Sequence, residues 1–120
     1  MSTKYKIRDQ NKLYYITFSV VEWVDVFSRR MYRDIFMDSL KYCQKNKGLE
    51  LYAFCIMTNH VHMVIGKSGD LILEGIIRDI KKFTSVKIIE AIEKNHFESR
   101  KDWMLRIFKD ARRRNNNNVN

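Results

Sequence analysis

The sequence predicts an α+β protein with a ferredoxin-like βαββα core, an antiparallel sheet and one extra helix at its C-terminal end. Apolar residues alternate with a period of two in three segments, and they recur at steps of three and four in three others. The order of these segments is strand, helix, strand, strand, helix, helix, and its first five elements match the start of a βαββαβ unit. At 120 residues, the chain is long enough for one domain with a single core.

The first strand is predicted in "LYYITFSVV", residues 13–21. Every second side chain in this segment is apolar, and the positions between them carry Tyr15, Thr17 and Ser19. Such alternation, with many β-branched and aromatic residues, is typical of a strand that has one buried face.

One helix and two strands follow. Ser28 is a candidate N-cap for a helix that runs to about Asn46, and Gly48 supplies its C-terminal stop. The segments 49–57 and 60–66 are predicted as strands joined by the tight link "TN", because one continuous strand of this length would be unusual.

Two helices complete the predicted order. Asp70 can cap a long helix that ends near Lys94. Ser99 and Asp102 resemble a capping box, and they precede an apolar stripe that ends at Ala111.

The domain boundaries and the sheet edge follow from this order. We expect residues 1–111 to form the folded domain and residues 112–120 to form a basic, asparagine-rich tail. In a complete βαββαβ unit, a last strand follows the second helix and pairs with the first strand, but here a helix follows instead. We therefore expect an exposed first strand, and an exposed apolar edge favours a homodimer.

The composition limits the class of partner. The net charge is +9 and is spread along the chain, which favours a polyanion such as nucleic acid, although a merely soluble basic surface is the alternative. No apolar run is long enough for a membrane span, the N-terminus has no signal-peptide core, and the two cysteines are far apart, so we expect a cytoplasmic protein with no membrane partner. The candidate DNA contacts, each of which could equally be an ordinary solvated side chain, are Lys81, Lys82, Arg100, Lys101, Arg106, Arg112, Arg113 and Arg114.

Two histidines stand out in the predicted third strand. His60 and His62 are separated by one valine, so both side chains point to the same face of the sheet. Two imidazoles that project from the strand in the same direction can coordinate one divalent ion if a third group approaches them from elsewhere in the fold. Two histidines hydrated on an exposed strand face are the alternative.

The sequence "YAFCIMTNHVHMVI" around these histidines resembles the signature of the HUH single-tyrosine transposases, and in particular the REP-associated tyrosine transposases and their insertion-sequence relatives. Thr58 stands where that family usually has proline. The resemblance extends over "YYITFSVVEWVDVF", "GIIRDIKKFTSVKII" and "ESRKDWMLRIF", and so covers nearly the whole chain.

The resemblance implies a metal-dependent chemistry on single-stranded or hairpin DNA. It implies that His60 and His62 bind Mg²⁺ or Mn²⁺ together with a third ligand on a later helix, and that a tyrosine on that helix cleaves the strand through a phosphotyrosine link. All six tyrosines of the chain precede His60, so we expect a C-terminally truncated member that lacks the tyrosine helix, binds metal weakly and is deficient in cleavage.

Two other functions remain open. An active DNA nickase or transposase could use Tyr15, or it could be a longer gene product. A ferredoxin-like module that binds RNA or a protein partner without catalysis belongs to a different class, but the aromatic strand motif of RNA-recognition modules is absent.

Overall fold

The chain folds as an antiparallel sheet with helices on one of its faces. The computed structural model describes residues 7–117, with side chains for residues 7–114. This part of the chain contains three strands, three α-helices and two short 3-10 turns, at Val21–Trp23 and Val26–Ser28. The strands are β1 (Tyr14–Ser19), β2 (Leu49–Ile56) and β3 (His60–Lys67), and the helices are α1 (Arg30–Asn46), α2 (Leu73–Lys94) and α3 (Lys101–Asn117).

The sheet has the order β1-β3-β2, with β3 in the centre and both neighbours antiparallel to it. Thr17 on β1 and Cys55 on β2 lie opposite His62 from its two sides. This order is that of the predicted ferredoxin-like βαββα core. Within residues 7–117, β1 pairs with β3 alone, as expected for an edge strand.

The hydrophobic core lies between the sheet and the first two helices. Ile16 and Phe18 of β1 and Val61, Met63 and Ile65 of β3 are buried on one face of the sheet, as the alternation predicts. Helices α1 and α2 pack against each other and contribute most of the remaining core. Their buried apolar residues include Tyr32, Phe36, Leu40, Cys43, Leu73, Ile76, Ile77, Ile80 and Ile88.

The predicted caps of α1 and α2 are wrong. Ser28 lies in the second 3-10 turn, and Arg29 occupies the N-cap position of α1 without a side-chain bond. Asp70 does not cap α2, which begins at Leu73. The amide of Leu73 donates instead to Oε1 of Gln10 at 2.7 Å. The acceptor comes from a residue far away in the sequence, so local capping patterns could not show it.

Helix α3 also begins and ends differently from the expectation. The carboxylate of Glu98, not the side chain of Ser99, accepts a hydrogen bond from the amide of Arg100, at 3.2 Å. The helix continues to Asn117, so residues 112–117 of the expected tail are helical, and residues 118–120 lie outside the described range. No glycine or proline follows Ala111 to stop it.

The apolar stripe of α3 is only partly buried. Met104 and Ala111 are buried, and Ile107 and Phe108 are half-buried. Trp103 is 38% exposed. The helix packs mainly against α2 and the first 3-10 turn, which explains its narrow buried face. Within residues 7–117, no helix combines the length and apolarity that a membrane crossing requires.

Candidate functional site

Strand β3 places the two predicted histidines side by side on the face of the sheet that the helices leave open. Their ring centroids are 4.7 Å apart and the rings are perpendicular to each other. The neighbouring residues Val61 and Met63 are buried in the core, which holds the strand and fixes the direction of both imidazoles. The predicted common face of His60 and His62 is therefore present in the structure.

A side chain from the link before β3 orients His60. Its Nδ1 lies 2.7 Å from Oδ1 of Asn59. An amide oxygen only accepts hydrogen bonds, so Nδ1 carries the proton and Nε2 carries the lone pair of the neutral ring. Such an arrangement prepares Nε2 for a metal ion or for a hydrogen bond from a substrate.

Strand β1 orients His62 in a similar way. The hydroxyl of Tyr15 lies 2.6 Å from Nδ1 of His62, and the hydroxyl of Thr17 lies 3.2 Å from the same nitrogen. The rings of Tyr15 and His62 are nearly parallel, with an interplanar angle of 9°. Both hydroxyls can donate or accept, so the direction of these bonds follows the tautomer of His62.

The residues at this site could supply part of a metal-binding set. The described residues contain no group of three or more His, Cys, Asp or Glu side chains that could hold an ion. The two imidazoles could act as two ligands of an ion, and a third ligand would have to come from another group. Cys55, opposite His62 on β2, is exposed, and its thiol lies 3.6 Å from the sulfur of Met57.

The structure assigns other contacts to four of the candidate DNA-binding cations, which are Lys81, Arg100, Lys101 and Arg113. The ammonium of Lys81 lies 4.9 Å from the ring centroid of Phe18, and burial lowers the pKa of Lys81. Lys101 donates to the backbone oxygen of Glu93 at 3.1 Å. Arg100 forms ion pairs with Glu98 and Asp25, whereas Lys82 is exposed on α2.

Arg100 belongs to an ion-pair cluster around the buried carboxylate of Glu98. Its guanidinium contacts the carboxylates of Glu98 at 3.2 Å and Asp25 at 2.6 Å, and its side chain is only 18% exposed. Arg29 binds the same Glu98 carboxylate through two hydrogen bonds. These contacts give Arg100 a structural role in the fold.

The remaining candidates are exposed arginines on α3. Arg106 and Arg114 line a shallow pocket together with Glu22, next to the first 3-10 turn. Arg112 is exposed, and Arg113 pairs with Asp110 at 2.9 Å.

Trp23 is a residue at the site that the sequence analysis missed. It is 64% exposed, and its ring lies edge-on to that of His60 with a centroid distance of 6.4 Å. Both Glu22 and Trp23 have positive φ angles, 54° and 55°. The position of a tryptophan between a strand and a helix, outside any apolar stripe, is the signal that could have drawn attention to it.

Comparison with known proteins agrees with this architecture. The sequence profile of a family described as "Transposase IS200 like" matches residues 10–110. The fold is similar to a crystal structure of a protein assigned as a transposase from Deinococcus radiodurans R1. The TM-score is 0.55 at 17% sequence identity, over 81% of this chain and 76% of the other. No curated protein matches the chain.

Proposed function

The chain belongs to the IS200-like transposase family, and from this premise we propose that it binds single-stranded or hairpin DNA at the open face that carries His60 and His62. The observation that carries the proposal is the pair of adjacent imidazoles, each held by a hydrogen bond at Nδ1. The net charge of +9 supports a polyanionic partner. Because the proposed substrate is DNA, we place the protein in the cytoplasm.

We further propose that Nε2 of His60 and Nε2 of His62 are ligands for Mg²⁺ or Mn²⁺, with a DNA phosphate oxygen and a group outside the described residues completing the site. Bound there, such an ion would polarise a phosphodiester as a Lewis acid. Asn59 holds His60 in the tautomer that ligation needs. Tyr15 can do the same for His62 by accepting its Nδ1–H. With two protein ligands, we expect weak metal binding.

The proposal for the chain as given is binding without cleavage by the route of the family. The resemblance to single-tyrosine transposases implies a nucleophile on a helix after the histidines, but no tyrosine lies between residues 63 and 120. The 120 residues therefore supply the DNA-binding face and the two imidazoles, and not the nucleophile in its family position.

The test is the binding of a fluorescent single-stranded hairpin with and without Mg²⁺ or Mn²⁺. We expect the ions to tighten binding to the natural protein, and we expect this gain to be lost in His60→Ala and His62→Ala because each change removes one ligand. His96→Ala is the matched control, since His96 is exposed outside the site. Equal binding by His60→Ala and the natural protein at every metal concentration would refute the metal role. Preference for an RNA hairpin of the same sequence would instead support the RNA-binding module.

Tyr15 supports a second candidate function, DNA nicking within this chain. Its hydroxyl oxygen could attack the phosphorus while Nδ1 of His62, 2.6 Å away, accepts the phenol proton. The bond from phosphorus to the 3′ oxygen would break, the 3′ oxygen would take up a proton from water, and a 5′-phosphotyrosine would remain. This route needs Nδ1 as an acceptor, whereas ligation through Nε2 needs a proton on Nδ1, so the two roles of His62 exclude each other.

A covalent adduct on a denaturing gel tests this second candidate. Cleavage through Tyr15 predicts a protein–DNA adduct that survives EDTA and disappears in Tyr15→Phe but not in Tyr52→Phe, an exposed tyrosine on β2. Absence of any adduct from the natural protein would eliminate nicking by this chain.

We propose, finally, that the edge of the sheet at β1 supports a homodimer. Leu13 and Tyr15 expose large apolar side chains there, and within residues 7–117 β1 has only β3 as its strand neighbour. Light scattering should give a mass twice the 14.5 kDa of the chain. Leu13→Lys should shift the protein towards the monomer, while Leu71→Lys, at another exposed leucine, should not. A natural protein that is monomeric at high concentration would exclude the dimer.

A further inference from the structure

The turn after β1 holds two non-glycine residues in a conformation that side chains rarely adopt. Glu22 and Trp23 have φ angles of 54° and 55°. The left-handed region is unfavourable for residues with a Cβ atom, and it persists only where the surrounding structure imposes it. In this turn, the left-handed conformation leaves the indole of Trp23 exposed beside the histidine pair.

Hydrogen bonds attach both ends of this segment to the link that precedes β3. The amide of Val20 donates to the oxygen of Asn59 at 2.9 Å, and the amide of Phe27 donates to the oxygen of Thr58 at 2.9 Å. Asn59 is also the residue that orients His60. The position of the Trp23 ring is thus tied to the backbone that carries the first histidine.

The other side of the turn faces basic residues. Glu22 lines a shallow pocket with Arg106 and Arg114 of α3, and Asp110 in the same pocket pairs with Arg113. Two guanidinium groups therefore lie next to the residue that precedes Trp23. The ring of Trp23 thus lies beside one imidazole, and the residue before it lies beside two guanidinium groups. Such a combination suits a nucleotide strand, in which flat bases lie beside regularly spaced phosphates.

We propose that Trp23 is a stacking platform for one unpaired nucleobase, which it places beside the phosphate at His60, while Arg106 and Arg114 bind the neighbouring phosphates. This inference rests on the proposed binding of single-stranded DNA and adds a base-binding subsite to it. Stacking on an indole does not read the base identity, so the subsite accepts any unpaired base.

The test uses a 12-nucleotide single-stranded oligothymidylate and the variant Trp23→Gly. Glycine adopts the left-handed conformation without cost, so this change removes the ring and keeps the turn. Loss of one stacked base should weaken binding roughly tenfold. Glu22→Gly is the matched backbone control and should bind as tightly as the natural protein, or more tightly since it removes a negative charge. Trp103→Phe is the side-chain control. It replaces the other tryptophan without introducing a glycine into α3, and it should leave the affinity unchanged.

A spectroscopic readout separates stacking from indirect effects. In the Trp103→Phe background, Trp23 is the single tryptophan, because the chain has two. Its fluorescence should be quenched by the oligothymidylate and not by an abasic strand of the same length. Trp23→Phe should retain most of the affinity, which a loss of fold would not allow.

The outcomes distinguish this inference from the proposed function. Binding of Trp23→Gly within twofold of the natural protein, with no quenching of Trp23, would overturn the stacking subsite and leave DNA binding intact. Failure of the natural protein to bind any single-stranded DNA would overturn both. Equal quenching by the abasic strand would show phosphate contact alone and would also overturn the subsite.

Discussion

At the scale of single residues, the carboxylate of Glu98 is tightly constrained. Its side chain is fully buried and receives hydrogen bonds from Arg29, Arg100 and the hydroxyl of Tyr32. Burial alone raises the pKa of Glu98, but the hydrogen bonds from Arg29, Arg100 and Tyr32 lower it more, to about 2. The cluster joins the start of α1 to the start of α3 and uses cations that the sequence analysis had assigned partly to DNA.

Replacement of Glu98 should therefore destabilise the fold. Glu98→Gln keeps the shape but leaves two guanidinium groups without their buried partner, which should cost about 3 kcal/mol of unfolding free energy at pH 7. Urea denaturation measures this difference. Glu90→Gln is the control, since the pair of Glu90 with Lys94 at 3.9 Å is exposed and should contribute less than about 1 kcal/mol.

The pH dependence of the same variant gives an independent check. A carboxyl with a pKa lowered from 4.5 to about 2 in the folded state stabilises the protein above pH 4.5, and this contribution is lost as the pH falls towards 2. The stability difference between the natural protein and Glu98→Gln should therefore be constant above pH 5 and shrink below pH 4.5. A difference that does not change between pH 6 and pH 3 would contradict the assigned role.

At the scale of elements, the ends of the helices depend on distant residues and on one glycine. Gln10 receives the first amide of α2 and also donates to the Glu74 carboxylate at 2.9 Å, so the segment before β1 caps a helix more than 60 positions later. Gly48 ends α1 with a φ of +81°, as its place in the sequence predicts, and its oxygen accepts the amide of Ser68 at 2.8 Å.

Two glycines with the same φ allow the conformational cost to be separated from the steric cost. A Cβ atom at Gly48 would overlap the backbone oxygen of Ser68, whereas a Cβ atom at Gly69, also at +81°, would meet nothing within 4 Å. Gly69→Ala should lose about 1 kcal/mol of stability from conformation alone, and Gly48→Ala should lose clearly more. Thermal unfolding of the two variants tests this order, and equal losses would refute the close approach.

At the scale of the whole molecule, the distribution of charge and the open sheet face decide what the protein can bind. Helices α1 and α2 cover one face, so ligands reach the histidines only from the other. The excess of cations gives the surface a positive potential, and part of that excess lies on α3 beside the turn that carries Trp23.

The affinity for single-stranded DNA should fall steeply with salt. Each phosphate neutralised on a single strand contributes about 0.7 to the slope of the logarithm of affinity against that of salt concentration. Arg106→Ala with Arg114→Ala should therefore reduce the slope by about 1.4, since two phosphate contacts disappear. The control is Lys41→Ala with Lys45→Ala. Both lysines are exposed on α1, on the side of the sheet away from the histidines, so this double variant should leave the slope unchanged. The same slope in both double variants would remove α3 from the DNA surface.

The sequence by itself determined the order of the elements, the buried face of each strand and the common face of His60 and His62, because these depend on periodicities of the chain. It also determined the family, through residues around the histidine strand. Arg100 shows the limit of such reasoning. Its place in the sequence is equally consistent with a contact to DNA and with the ion pair to the buried Glu98 that the structure contains.

Only the tertiary structure decided the contacts between residues far apart in the chain. It brought Tyr15 within 2.6 Å of His62, placed Gln10 at the start of α2, and turned Trp23 towards His60. The physical reason is common to all three. Their energies come from the partner that the fold supplies, and neither hydrophobic period nor local propensity carries information about that partner.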